Sequence, residues 1–272
     1  MDARPIGVFD SGVGGLTVLH ECLVSMPNED FVYLGDHARL PYGPRGPEEV
    51  RRFAEEIGTY LERRGVKILV VACNTATAVA LPSLQERLSV PVVSVIVPEA
   101  YAAVRATRNR RIGLLATELT VASGRYEMLV RTLDAGARVT AVACPRLVPL
   151  IESGDTFSAE VGAAVREYAE PLQTAGCDTV ILGCTHYPLL RPVFQRAFGR
   201  DVNLVFSADE TAREVAETLT RKGVANEQMR EGSYRFLTTG DPALFRSLGE
   251  RFLQLPLSRV DHVDVSDLVL AA

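Results

Sequence analysis

The chain has 272 residues, 47% hydrophobic and 23% charged, with no tryptophan, a globular composition that excludes the fibrous and disordered classes. Lys plus Arg number 29 against 34 Asp plus Glu, a net charge of −5 with both signs interspersed; there is no basic stripe to neutralise a phosphate backbone, so nucleic acid is not expected as the main partner. Met1 to Asp10 reaches an acid before any leader-like apolar stretch forms, and no run approaches the ~18 apolar residues of a membrane span, so no membrane partner and a cytoplasmic location are expected.

Taken in chain order, short β-rich apolar runs alternate with longer amphipathic segments, the pattern of parallel strands covered by crossover helices. Pro5–Phe9 reads as the first strand, and Asp10-Ser11-Gly12-Val13-Gly14-Gly15 follows at its carboxyl end. The glycines allow a tight turn, but the loop lacks the spacing and the Lys of a phosphate loop and opens on a carboxylate. Phe31–Leu34 is the second strand. It leads into Gly35-Asp36-His37-Ala38-Arg39 and Pro41-Tyr42-Gly43, a polar loop holding an acid, a base and a phenol. Asp36 alone reads equally well as a turn cap paired with Arg39.

Pro47–Arg64 has helical apolar spacing, acids in its first turn, bases in its last, and Gly65 as the stop. Strands at Lys67–Ala72, Val92–Ile96, Arg111–Leu115, Val139–Ala143, Thr179–Gly183, Leu204–Phe206 and Tyr234–Thr238 complete the series, with a further helix over Thr211–Arg221.

A weak internal repeat runs through this series. Ile6-Gly7-Val8-Phe9 before Asp10-Ser11 matches Ile112-Gly113-Leu114-Leu115 before Ala116-Thr117. Val70-Val71-Ala72-Cys73-Asn74-Thr75 matches Ile181-Leu182-Gly183-Cys184-Thr185-His186. The two separations differ by a few residues, which predicts two related α/β units. With boundaries near Val97-Pro98 and Ser207, the expected division is 1–97 plus 208–272 for the first domain and 98–207 for the second.

Five cysteines without a CxxC pair suit a reducing compartment. Cys22, Cys144 and Cys177 read as small buried packing residues without polar company. Cys73 and Cys184 each follow a buried strand and precede polar residues near an expected helix N-terminus, where the dipole lowers a thiol pKa. No CxxC or HxxxH partner completes a four-ligand zinc site, so no metal is expected. If the two units face each other, one thiolate can remove a proton from one face while the other thiol delivers one to the opposite face. That arrangement inverts a stereocentre, whereas a cysteine hydrolase needs only one thiol.

The motifs FDSGVGGLTVL, YLGDHARLPYG, ACNTATA and GCTHYPLL, in this order, resemble the glutamate branch of the cofactor-independent aspartate/glutamate racemase superfamily. The likeness runs from about Ile6 to Val205. It implies two pseudo-symmetric flavodoxin-like α/β domains with mostly parallel sheets, a site in the cleft between them, a homodimer, no cofactor, and production of D-glutamate for peptidoglycan. It further implies that Cys73 and Cys184 are the acid/base thiols, with Asp10, His186 and Glu152 assisting. Substrate contacts would come from Asp10, Ser11, Pro41, Tyr42, Gly43, Asn74, Thr75, Thr117, Thr185 and His186. Two positions depart from the pattern: His37 stands where Thr is usual, and Ala116-Thr117-Glu118-Leu119-Thr120 replaces the common GTxAT. The competing readings are an aspartate racemase, a cysteine hydrolase or amidotransferase using Cys184 with His186, and a flavodoxin-like binding module with buried thiols.

Overall fold

The computed structural model describes residues 2–271 apart from 227, 229 and 258. Its strands are β1 Ile6–Asp10, β2 Phe31–Gly35, β3 Ile68–Val71, β4 Val92–Ser94, β5 Arg111–Ala116, β6 Arg138–Ala143, β7 Thr179–Gly183, β8 Asn203–Val205, β9 Tyr234–Thr238 and β10 Val260–His262. Its α-helices are α1 Leu16–Ser25, α2 Pro47–Arg63, α3 Asn74–Arg87, α4 Ile96–Ala106, α5 Glu118–Ala122, α6 Arg125–Leu133, α7 Leu147–Glu152, α8 Ala159–Thr174, α9 Arg191–Phe198, α10 Ser207–Lys222, α11 Pro242–Leu253 and α12 Val265–Ala271. Short 3₁₀ turns occupy His37–Arg39 and Tyr187–Leu190.

The strands form two sheets, ordered β10-β9-β2-β1-β3-β4 and β6-β5-β7-β8. Every described pairing is parallel. The fold is therefore α/β, as its continuous apolar strand runs imply: parallel strands are covered on both faces and need no alternation. β1, β3 and β7 are buried along their whole length.

The order β2-β1-β3-β4 in the first sheet is repeated as β6-β5-β7-β8 in the second. The register repeats too: Phe9 lies beside Val71 and Leu115 beside Leu182. Cys73 and Cys184 each stand two residues past the second member of such a pair, so the repeat carries both thiols to equivalent sheet ends. β9 and β10 extend the first sheet only.

α2 forms where its sequence directs, with Pro47 in the first turn, Glu48 and Glu49 beside it, Arg63 at the end, and Val50, Phe53, Ile57 and Leu61 buried. A Cβ on Gly58 would sit 2.9 Å from Leu84 Cδ2, so this glycine sets the close approach of α2 and α3. Two sequence readings need correction. Val92–Ile96 is strand only to Ser94; Val95 leads directly into α4, which runs through Val97-Pro98. Pro98 is tolerated there because proline fits a first helical turn. β10 escaped notice because three residues containing Asp261 and His262 carry no apolar pattern. Their place is decided by pairing with β9.

Candidate active site

Both thiols line one cavity of about 270 Å³ at the carboxyl ends of the strands, the place where open α/β sheets bind ligands. Ser11, Pro41, Tyr42, Gly43, Asn74, Thr75, Thr117, Thr185 and His186 line it with them. Asp10 and Glu152 are each bonded to a lining residue: Thr185 Oγ1 donates to Asp10 Oδ1 at 3.3 Å, and His186 Nε2 lies 2.8 Å from Glu152 Oε1.

The glycine loop after β1 earns its glycines by close approach. A Cβ on Gly14 would lie 2.4 Å from both His186 Nδ1 and Thr185 Oγ1, and one on Gly15 would lie 2.6 Å from Asp10 Cβ. A side chain at Gly14 would push the loop off the end of β7, and one at Gly15 would push it off its own sheet. Within the loop the Gly12 N–H donates to Asp10 Oδ2 at 3.0 Å.

The two thiols have different company. Cys73 caps α3, its Sγ accepting from the Ala76 N–H at 3.4 Å. Burial pushes its pKa up to about 12, with the Asp10 charge adding to the effect and the Ala76 and Ser11 hydrogen bonds opposing it. This reverses the sequence expectation of a dipole-lowered thiol: desolvation outweighs a helix N-terminus. Asp10 is itself fully buried and raised by that burial, against the pull of His186, the Gly12 and Gly15 N–H groups and Thr185.

Cys184 precedes a 3₁₀ turn instead of an α-helix. The Tyr187 N–H bonds to the Cys184 carbonyl at 3.1 Å. Cys184 and His186, two residues apart, point to the same side of the chain, and Cys184 Sγ lies 3.8 Å from His186 Nδ1. Burial disfavours the imidazolium, but the bonds to Cys184 and Glu152 prevail and raise the His186 pKa to about 10. At neutral pH His186 carries its proton beside the sulfur.

Asp36 is not at the cavity. It is fully buried and receives the Tyr42 hydroxyl, Arg39 Nε at 2.7 Å and Thr239 Oγ1 at 2.8 Å. Its role is to anchor the Tyr42 loop, which explains the acid, base and phenol read together in the sequence. His37 packs its ring against Phe245. Across the cavity, Thr75 Oγ1 and Thr117 Oγ1 meet at 2.8 Å, and Thr117 also bonds Thr120 Oγ1 at 2.9 Å and caps α5.

Sequence reasoning missed three residues. Cys144, read as plain packing, lines the cavity, although Cys22 and Cys177 are indeed buried away from it. Glu99 and Tyr126, fully buried, bond to the Asn74 side chain. An acid in the first turn of α4 resembles an ordinary dipole partner, so no sequence signal marked it. Among the described residues no cluster of three or more His, Cys, Asp or Glu is placed to hold a metal ion, and no helix is long and apolar enough to cross a membrane.

A family model described as Asp/Glu/Hydantoin racemase matches residues 17–215. The chain belongs to this racemase family. Its enzymatic class is therefore that of the isomerases. A glutamate racemase of Carnobacterium sp. is 45% identical over 97% of this chain and 99% of its own. The crystal structure of glutamate racemase isoform RacE1 from Bacillus anthracis superposes with a TM-score of 0.93 at 43% identity, covering 97% of this chain and 99% of that one. That of Francisella tularensis glutamate racemase in complex with D-glutamate gives 0.91 at 32% identity, over 98% and 99% of the two chains. The racemase fold thus extends past the matched segment to β9, β10 and the C-terminal helices.

Proposed function

We propose that this chain interconverts L- and D-glutamate by moving a proton at Cα between Cys73 and Cys184, with no cofactor. The observation carrying the reading is that two thiols from matched strand ends line one cavity, each with its own buried acid/base partner. The relatives' activity toward glutamate agrees with it.

The α-proton of an amino acid is very weakly acidic, so carbanion charge must meet preorganised donors away from water. The hydroxyls of Ser11, Thr75, Thr117 and Thr185 and the N-terminus of α3 supply dipoles around a site poor in cations, which suits a dicarboxylate held by hydrogen bonds. One thiol takes the α-proton as thiolate while the other gives its proton to the opposite face, and the two roles exchange when the reaction reverses. His186, protonated and in contact with Cys184, returns a proton to that sulfur between turnovers; Asp10 serves the Cys73 side.

Cys184, His186 and Glu152 also form a chain that a cysteine hydrolase would use. In that reading Cys73 has no task. The two-domain division at about residues 97 and 208, which rests on the internal repeat, and the cytoplasmic location, which rests on cysteines without a disulfide framework, belong to the same proposal, as do the homodimer and the supply of D-glutamate to peptidoglycan, which rest on the family resemblance. Circular dichroism of L-glutamate with purified protein and no added cofactor tests the activity: rotation decays to zero. In D₂O the newly formed enantiomer carries deuterium at Cα. Unchanged rotation, or release of ammonia, would remove the reading.

A further inference from the structure

Asn74 lines the cavity from the first turn of α3, yet its side chain is tied to helices of the other half of the molecule. Its Nδ2 donates to Glu99 Oε2 on α4 and to Tyr126 Oη on α6, each at 2.9 Å. Tyr126 in turn donates its hydroxyl proton to the same Glu99 Oε2. The ring is closed: both amide hydrogens and the one phenolic hydrogen are used. Asn74 Oδ1 remains, buried and without a hydrogen-bond partner.

Leaving a buried carbonyl oxygen unpaired is costly, so the ties to Glu99 and Tyr126 are what hold the Asn74 amide in this orientation. The opposite amide orientation would turn Oδ1 towards Glu99 Oε2, which already accepts from Tyr126. Burial raises the Glu99 pKa to about 8 against the Tyr126 and Asn74 bonds, so the carboxyl is largely neutral at pH 7. The carboxyl group that holds Asn74 is therefore not a full negative charge beside the cavity.

We infer that Glu99 and Tyr126 are positioning residues for Asn74, holding its side chain in the one orientation that keeps this residue at the cavity wall where the amino acid binds. This rests on the racemase reading above. That orientation holds in ground and transition states alike, so its loss acts on KM more than on kcat.

The test is steady-state kinetics of the full chain on both glutamate enantiomers. Glu99→Leu raises KM about tenfold with kcat within about threefold, the size of one buried hydrogen bond. Glu99→Gln, whose amide oxygen still accepts from both donors, keeps KM within about twofold of the parent. In an Asn74→Ala background Glu99→Leu adds nothing further, because it acts only through Asn74. Tyr126→Phe, which deletes one oxygen, raises KM about threefold and carries the test if Glu99→Leu does not fold. A folded Glu99→Leu chain with parental KM, or full additivity with Asn74→Ala, overturns the inference. If Asn74→Ala raises KM while Glu99→Leu and Tyr126→Phe do not, the tie falls and the racemase reading stands. A parent chain inert on both enantiomers overturns both.

Discussion

The surroundings of Cys73 and Cys184 are built on the same strand order and register and differ in chemistry. At Cys73 the chain enters a 14-residue α-helix, and the neighbouring ionisable group is the buried carboxyl of Asp10. At Cys184 it enters a four-residue 3₁₀ turn, and the neighbours are His186 and Glu152. A repeated backbone has placed two sulfurs equivalently, while the side chains around them have given one an acidic partner and the other a basic one. Two-base inversion needs equivalence of place, since the faces of a carbon are mirror-related, and not equivalence of surroundings.

The widest test of the comparison is removal of either sulfur. Cys73→Ser and Cys184→Ser each lower racemisation by about 10²–10⁴-fold, measured by circular dichroism, since either loss deletes one of two acid/base groups. Near-normal turnover in one variant would break the equivalence of place.

The partners test the difference of surroundings. Asp10→Asn and His186→Asn each reduce kcat about 10–10³-fold. Because the overall equilibrium between enantiomers is even, both directions lose kcat/KM equally. The asymmetry is read in the α-deuterium isotope effect, which rises in the direction where the affected thiol abstracts the proton. Equal isotope effects in both directions for both variants would show the partners to be interchangeable.

Gly14→Ala presses on the Cys184 side through His186, and on Asp10 only through Thr185. The new methyl falls 2.4 Å from His186 Nδ1, and displacement of a proton-transfer group by a fraction of an ångström costs about 10- to 100-fold in kcat. A Gly14→Ala chain with parental kcat would show that the His186 position is not critical.

The pH profile follows from the same side. His186 holds its proton up to about 10, so turnover dependent on the imidazolium is sustained at neutral pH and declines as pH rises through that value. His186→Asn lacks this alkaline limb; a limb unchanged in the variant would assign it elsewhere.

The smallest effect is on stability. Glu99 has a folded pKa of about 8, above its ordinary 4.5. The stability contributed by the neutral acid is therefore complete below about pH 4.5 and is lost as pH rises through about 8. Glu99→Gln cannot ionise, so its melting temperature relative to the parent rises between about pH 5 and about pH 9. A constant difference over that range would show that Glu99 is ionised throughout.

The sequence by itself determined the α/β class, most strands, the internal repeat and the two strand-end thiols that line the cavity. These are written locally: apolar runs make buried parallel strands, and unusual polar residues collect at their carboxyl ends. The chain's own pattern did not reveal β10, whose three residues acquire their place only by pairing with β9. Nor did it reveal that Cys144 faces the cavity, that Gly14 is absent of side chain for the sake of His186, or that Glu99 and Tyr126 hold Asn74. The thiol of Cys73 was misjudged for the same reason. A pKa is set by how much water and which charges surround a group, and a buried sulfur beside Asp10 gains more from desolvation than a helix dipole removes. Contacts between residues far apart in the chain leave no spacing to read, so only the tertiary structure decided them.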